Sequence, residues 1–361
     1  MHCFIFLFGD KMNLKSKYLS SAFLLVITSV AVKIIGAVYK IPLTTYIGAV
    51  GRGYFAVAYN LYLPVHAIVL GAFPVALSRL VSKYNTNNNQ AMLVSLRKAS
   101  RRVFFVVGII GMAVMLAVSV PYSRFVASSP KSVYTILILS PCVMFSALAS
   151  SYQDYYKGLM DMKPTAISQA LDALFKMVFG LVFAKLSLAY FYNKFLLSGD
   201  YQNEAQVLGA VYPITSAFAM GGACFGSFVS FVYSFIYDII NKDVSLKYER
   251  YDVKSARGEL LSFSFPIMIS CAVQSLFQFL DTASVQLALS LADKGVLANS
   301  FPYANVGEDD LVTYAYGIFS TALDFKNLVI GITMSLGICA VPAISRECEL
   351  GNNEKLSSLI N

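Results

Sequence analysis

The sequence predicts an all-α membrane protein, a polytopic bundle of about eight transmembrane helices, and three observations carry that reading. Hydrophobic residues make up 57% of the 361 and charged residues 13%, whereas roughly a quarter of an ordinary soluble domain is charged. The apolar residues fall into eight long runs separated by short polar segments, and several runs hold an ionisable residue at mid-depth. A helix crossing roughly 30 Å of hydrocarbon needs about 20 apolar residues. In lipid the backbone must satisfy its own hydrogen bonds, so each span is a helix, and the alternation of a barrel strand is missing.

The spans fall at 19–40, 54–77, 103–121, 134–156, 164–190, 207–240, 259–289 and 314–345. The opening run 3–8 is too short to cross, and no small-residue cleavage site follows the first long run, so no cleaved signal is expected. Met12, followed by Lys15 and Lys17, reads as a more natural start than Met1. The glycine-rich stretch Gly48 to Gly53 is read as the tight outer turn between spans one and two. It lacks the strand context of a phosphate-binding loop.

Orientation follows the distribution of Lys and Arg, because basic loops stay cytoplasmic. Starting inside, successive inner segments carry three, six, two, five and two such residues, and the outer ones two, two, one and one. Both termini are therefore expected in the cytoplasm, with the chain in the cytoplasmic membrane. The net charge of +8 needs no nucleic acid to explain it; topology and anionic headgroups suffice. The outer loop 292–310 is acidic, with Asp293, Glu308, Asp309 and Asp310.

Six scattered cysteines, four of them inside spans, read as small packing residues. Tryptophan is absent, so tyrosine must supply the interfacial belt, with Tyr18, Tyr39, Tyr54, Tyr134, Tyr190 and Tyr192 near span ends. Pro64, Pro74, Pro141, Pro213, Pro266 and Pro342 lie in or at the edges of spans, where each removes a backbone donor and bends or breaks the helix. The small-residue run 219–226 in span six permits close helix packing.

A charge at mid-bilayer costs roughly 2.5–3.5 kcal/mol on insertion scales and faces a cavity or a partner. Lys33 lies about 21 Å into span one with no acid near it in sequence, and is the leading candidate for an anionic substrate. Its competing reading is an ion pair with another helix or a side chain reaching the interface. Asp172 and Lys176 are four apart on one face of span five, either a structural ion pair or part of a transport path. Asp324 and Lys326, two apart in span eight, point to different faces, so at least one looks elsewhere. Asp281 in span seven is either an interfacial residue or part of the ion path, and His66 beside Pro64 is either packed or a proton relay. The sequence holds no nucleophile elbow, Walker loop or His-rich metal cluster, so no enzyme and no cofactor is expected, and transport would draw on an ion gradient, the membrane potential or another protein.

Several segments resemble polysaccharide flippases related to stage V sporulation protein B. They are residues 32–43 with 47–49 and 51–54, residues 71–82, and the turn and helix start Tyr156-Lys157-Gly158-Leu159-Met160-Asp161-Met162-Lys163-Pro164-Thr165-Ala166-Ile167-Ser168-Gln169. Phe265-Pro266-Ile267 with Asp281, and residues 337–345, resemble the family's seventh and eighth helices. The resemblance covers residues 14–361 and implies a superfamily of multidrug, oligosaccharidyl-lipid and polysaccharide exporters built as two helical lobes around a central cavity. It implies a six-helix lobe in 1–240, a basic linker in 241–258, and the first two helices of a second lobe in 259–361, where relatives carry twelve to fourteen helices. The implied mechanism is alternating access for a polyprenyl-diphosphate-linked oligosaccharide, its diphosphate held by Lys33, Lys176 and Lys326, with H+ or Na+ as coupling ion. A cation-coupled drug exporter of the same fold, and a non-transporting remnant, are the other two readings.

Overall fold

The computed structural model describes residues 14–198, 203–241, 252–301, 307, 310–327 and 329–330. Every regular element among them is helical: α1 (Leu14–Thr86), α2 (Gln90–Pro121), α3 (Val133–Gly158), α4 (Lys163–Ser198), α5 (Glu204–Ile240), α6 (Val253–Leu291), the short α7 (Lys294–Ser300) and α8 (residues 311–327). Two short turns, Tyr122–Val126 and Pro130–Ser132, join α2 to α3. Six of the helices are long and apolar enough to cross a membrane.

One of those six is two spans. At 1.5 Å per residue the 73 residues of α1 would run to about 110 Å if straight, more than three bilayer thicknesses. Its one non-helical residue is Gly48, at φ 64° and ψ 179°, a conformation open to glycine and strained for residues with a Cβ. Tyr39, nine residues before it, lies against Gly180 on α4, and Tyr59, eleven after it, meets Lys176 one turn away on the same helix. Both contacts hold only if the chain reverses at Gly48. The expected turn between spans one and two is therefore a single glycine, its Cα set against the Tyr212 ring.

The described chain runs up and down. The Gly48 turn, residues 122–132, Asn203 and Asp310 gather at one end, as seen from Tyr212 beside Gly48, Ser216 bonding the Gly51 carbonyl at 2.5 Å, and Lys131 on Asp310. The α1–α2 and α3–α4 connections, the end of α5 and the start of α6 lie at the other. Here Asn89 caps α2, accepting from the Met92 N–H at 3.1 Å, and Asp252 caps α6, accepting from the N–H groups of Lys254 and Ser255 at 2.9 and 3.0 Å. We refer to these as the Gly48 end and the Gln90 end. Seven crossings match the first seven predicted spans. The eighth is described as far as 330, and the rest of it, with Pro342, lies outside the described residues, as do the N-terminal residues around Met12.

The buried apolar core is built chiefly on α1 with α2, α3 and α5, and beside it runs a seam of α3, α4 and α5. Glycines set the separation of α4 and α5: a Cβ at Gly222 would fall 2.2 Å from the Gly180 backbone nitrogen, so the small-residue run in span six does bring two backbones together. Around it hydroxyls tie the three helices. Ser168 Oγ bonds the Oγ atoms of Ser230 at 2.6 Å and Ser234 at 3.1 Å, and accepts from Gln153 Nε2 at 2.8 Å. Outward faces are apolar, with Phe23, Ile34, Leu186 and Ile240 half or more exposed, the inverse of a soluble surface.

Two expectations are corrected. Of the bends or breaks expected at the prolines, no break occurs at Pro64, Pro74, Pro141, Pro213 or Pro266; the Leu137 carbonyl freed by Pro141 accepts from Ser140 Oγ at 2.8 Å, and it is glycine that reverses α1. Tyr39 and Tyr54 are buried rather than interfacial, because their rings fill the α1–α4 and α1–α8 contacts. Tyr134 and Tyr190 are exposed, as a belt requires. Gly222→Ala is expected to lower the thermal melting temperature in detergent by overpacking, at a cost of about 1–3 kcal/mol. Gly258→Ala, with nothing within 4 Å of its Cβ, should leave it unchanged or raised by the helix propensity of alanine.

Candidate functional site

Buried charge concentrates where α1, α4 and α8 meet. The turn at Gly48 carries Arg52 inward to 3% exposure, flanked by Gly51 and Gly53, and the backbone of Gly53 lies against Thr313 of α8. The Arg52 guanidinium and the Lys40 ammonium both bond Asp324 of α8, one on each carboxylate oxygen, and Thr321 Oγ1 lies 3.5 Å from Arg52. One carboxylate therefore bridges the two limbs of α1 to the eighth span.

The Lys176 ammonium lies within electrostatic reach of Asp172 but bonds elsewhere. It donates to Tyr59 Oη at 2.5 Å and lies 5.1 Å from the centre of that ring. Asp172 instead accepts from Ser227 Oγ at 3.1 Å, and no ion pair joins the two residues among the described contacts. Lys176 remains within electrostatic reach of Lys40, Tyr39 and His66. His66 packs on the Tyr62 ring at 5.0 Å. Arg52 Nε and Tyr39 Oη are buried with no hydrogen-bond partner among the described residues, which leaves two donors unsatisfied inside a cationic cluster.

Of the sequence candidates, Lys176, Asp172 and Asp324 lie in or beside this cluster. Lys33 is half-buried on α1, two turns from Lys40 and on the same face, since seven residues return nearly to the same angle. Asp324 and Lys326 do face apart: Lys326 is exposed on α8. Asp281 is exposed on α6, outside the cluster. Sequence reasoning missed Lys40, Arg52 and Tyr59 as site members. The available signals were the seven-residue interval from Lys33 to Lys40, and an arginine held between two glycines in a membrane turn.

Two further contacts close the ends. At the Gly48 end Asp310 accepts from Tyr54 Oη at 2.6 Å and Lys131 Nζ at 2.8 Å, and Thr313 donates to Ser129 at 3.0 Å. At the Gln90 end Glu259 of α6 accepts from Lys83 at 3.0 Å and Tyr84 at 2.6 Å, both on α1. Buried Asp238 is held by Arg97, with Nε at 3.0 Å, and by Arg101.

Removing Asp324 strands a buried guanidinium. Asp324→Asn is expected to destabilise by on the order of 2 kcal/mol, less than a fully buried pair because the carboxylate is a quarter exposed. The Arg52→Gln/Asp324→Asn double variant should recover part of that loss. Melting curves of the four-member cycle measure the coupling.

Comparison with known proteins follows the same outline. Residues 18–347 match the family described as polysaccharide biosynthesis protein. The lipid II flippase MurJ of Bacillus subtilis (strain 168) is 23% identical over 357 residues, which cover 96% of this chain and 61% of that protein. Stage V sporulation protein B of the same organism is 22% identical over 339 residues, covering 93% and 59%. The chain thus spans about three-fifths of the length of these relatives. Among solved structures, a MOP superfamily transporter from Pyrococcus furiosus superposes with a TM-score of 0.57 at 12% identity, over 97% of this chain and 70% of that one. A multidrug resistance MATE family transporter of the MOP superfamily superposes at 0.52 and 11%, over 92% and 68%. The multi-pass helical fold is shared with these transporters, and the chain belongs to the polysaccharide biosynthesis protein family.

Proposed function

We propose that the protein moves a lipid-linked oligosaccharide or peptidoglycan precursor across the cytoplasmic membrane by alternating access, as a transporter and not an enzyme. The observation that carries the proposal is the cluster at α1, α4 and α8, in which Lys40 and Arg52 share one carboxylate, Asp324, Lys176 donates to the Tyr59 phenol with Asp172 within electrostatic reach, and two buried donors stand open. At an effective dielectric near 20, a unit charge pair 4 Å apart is worth about 4 kcal/mol. A diphosphate arriving between the helices would compete with Asp324 for Lys40 and Arg52, and would draw on Lys176 and Lys33. Lys326, exposed on the other face of α8, has no contact in this cluster.

The polyprenyl tail stays in the bilayer against the apolar outer faces while the headgroup crosses. In this reading residues 1–240 form one lobe, 241–258 a basic linker, and 259–361 the opening of a second, and rocking of one on the other breaks the Asp310 contacts or the Glu259 contacts in turn. Both termini are cytoplasmic and the Gly48 end is outside, as the basic loops direct. H+ or Na+ is the proposed coupling ion. The relatives named as a lipid II flippase and a sporulation protein support the substrate class. A cavity for cationic drugs needs an excess of acid, and the excess in this cluster is basic.

In vesicles loaded with lipid-linked precursor, Lys33→Ala, Lys176→Ala and Arg52→Ala are each expected to slow flipping roughly tenfold or more, the loss of one charge-assisted contact. Lys185→Ala, exposed on α4, should not. Equal rates in all four would remove the cluster from the transport path, and no flipping above protein-free vesicles by the full-length protein would favour a non-transporting role. For orientation, an impermeant maleimide should label Lys194→Cys in intact cells and Lys98→Cys only after lysis, both in a cysteine-free background.

A further inference from the structure

A second basic site lies at the Gln90 end, away from the cluster between α1, α4 and α8. A cavity of about 160 Å³ opens between α2 and α6, lined by Ala99, Arg102, Val253, Lys254 and Arg257. All three cations are exposed, and among the described residues none has an ion pair or hydrogen bond through its side chain. The neighbouring acids are engaged elsewhere: Asp238 by Arg97 and Arg101, Glu259 by Lys83 and Tyr84, and Asp252 by the first N–H groups of α6. Among the described residues no carboxylate lines the cavity.

The helix faces that carry these cations continue as apolar stripes. Three, four, seven and eight residues beyond Arg102 stand Phe105, Val106, Ile109 and Ile110, all exposed. Four, eight and twelve residues beyond Arg257 stand Leu261, Phe265 and Ile269, also exposed. Such intervals keep to one side of a helix. Arg102 immediately precedes the apolar run that begins at Val103, so the cations sit at the hydrocarbon boundary and the stripes run into it.

We propose that this cavity binds the headgroup of an anionic phospholipid, its phosphodiester between Arg102, Lys254 and Arg257 and its acyl chains along the two stripes. A free phosphate would find the same cations but would leave the stripes unused. The site does not depend on what the protein transports.

The absence of tryptophan from the chain supplies the test. Phe105→Trp places a reporter on the α2 stripe, and Phe277→Trp, exposed and twenty residues beyond Arg257, places one at the far end of α6. Each full-length variant is reconstituted in phosphatidylcholine vesicles containing dibrominated phosphatidylglycerol or dibrominated phosphatidylcholine. The α2 reporter should be quenched preferentially by the brominated phosphatidylglycerol, and the preference should fall roughly fivefold for each cation replaced in Arg102→Gln, Lys254→Gln and Arg257→Gln. It should also weaken as salt is raised in the unsubstituted background, a reading that needs no folded triple variant. The α6 reporter should show little preference. Equal preference at both reporters, or a preference that survives both salt and the substitutions, overturns the proposal. Abolition by millimolar inorganic phosphate at constant ionic strength overturns it in favour of a soluble anion.

Discussion

Asp324 is the contact on which the arrangement of the first two spans and the eighth depends. A guanidinium cannot be left buried in a protein without an anion or a dense set of acceptors. Arg52 is driven inward by the reversal at Gly48, so the position of α8 is set by the need to bring a carboxylate to it. Lys40 reaches the same carboxylate from the other limb. The three segments are thereby fixed in register by electrostatics, while the glycines at 53 and 317 let their backbones approach closely enough for the pair to form.

That arrangement is also what makes the cluster chemically open. Two cations on one carboxylate, with Lys176 bonded to a phenol and only in electrostatic reach of Asp172, leave an excess of positive charge among the described residues. The acids at the Gln90 end behave differently. Asp238 takes two arginines and Glu259 a lysine and a tyrosine, contacts that fasten helices together. Charge is thus used in two ways, saturated where helices are tied and unsaturated at the α1–α4–α8 junction and in the α2–α6 cavity.

Much of the fold was legible in the sequence because the bilayer imposes so few solutions. Span length, the position of the turns and the close α4–α5 contact all follow from apolar run length and small residues. The prolines misled as to breaks because a missing donor is tolerated where another group takes up the freed carbonyl, as Ser140 does at Leu137. The site was half legible. Lys176 and Asp324 announced themselves as charges in apolar runs, but their partners Tyr59, Lys40 and Arg52 lie more than a hundred residues away in sequence and are neighbours only in the folded chain. Asp172 and Lys176 carried a strong local signal for pairing, and tertiary contacts with Ser227 and Tyr59 overrode it.

The hydroxyl seam through α3, α4 and α5 has a mechanical consequence. Gln153, Ser168, Ser230 and Ser234 satisfy one another within the seam, and sliding any one helix by a turn would leave several of them facing hydrocarbon with nothing to bond. The facing glycines of α4 and α5 let their backbones pack closely, and that contact would be lost if the two helices parted. In the proposed transport cycle these three helices are therefore expected to move as one block, with α1 packed closely on it, as at Gly158 beside the Ser78 carbonyl, and α6 resting on α1 and α2 instead.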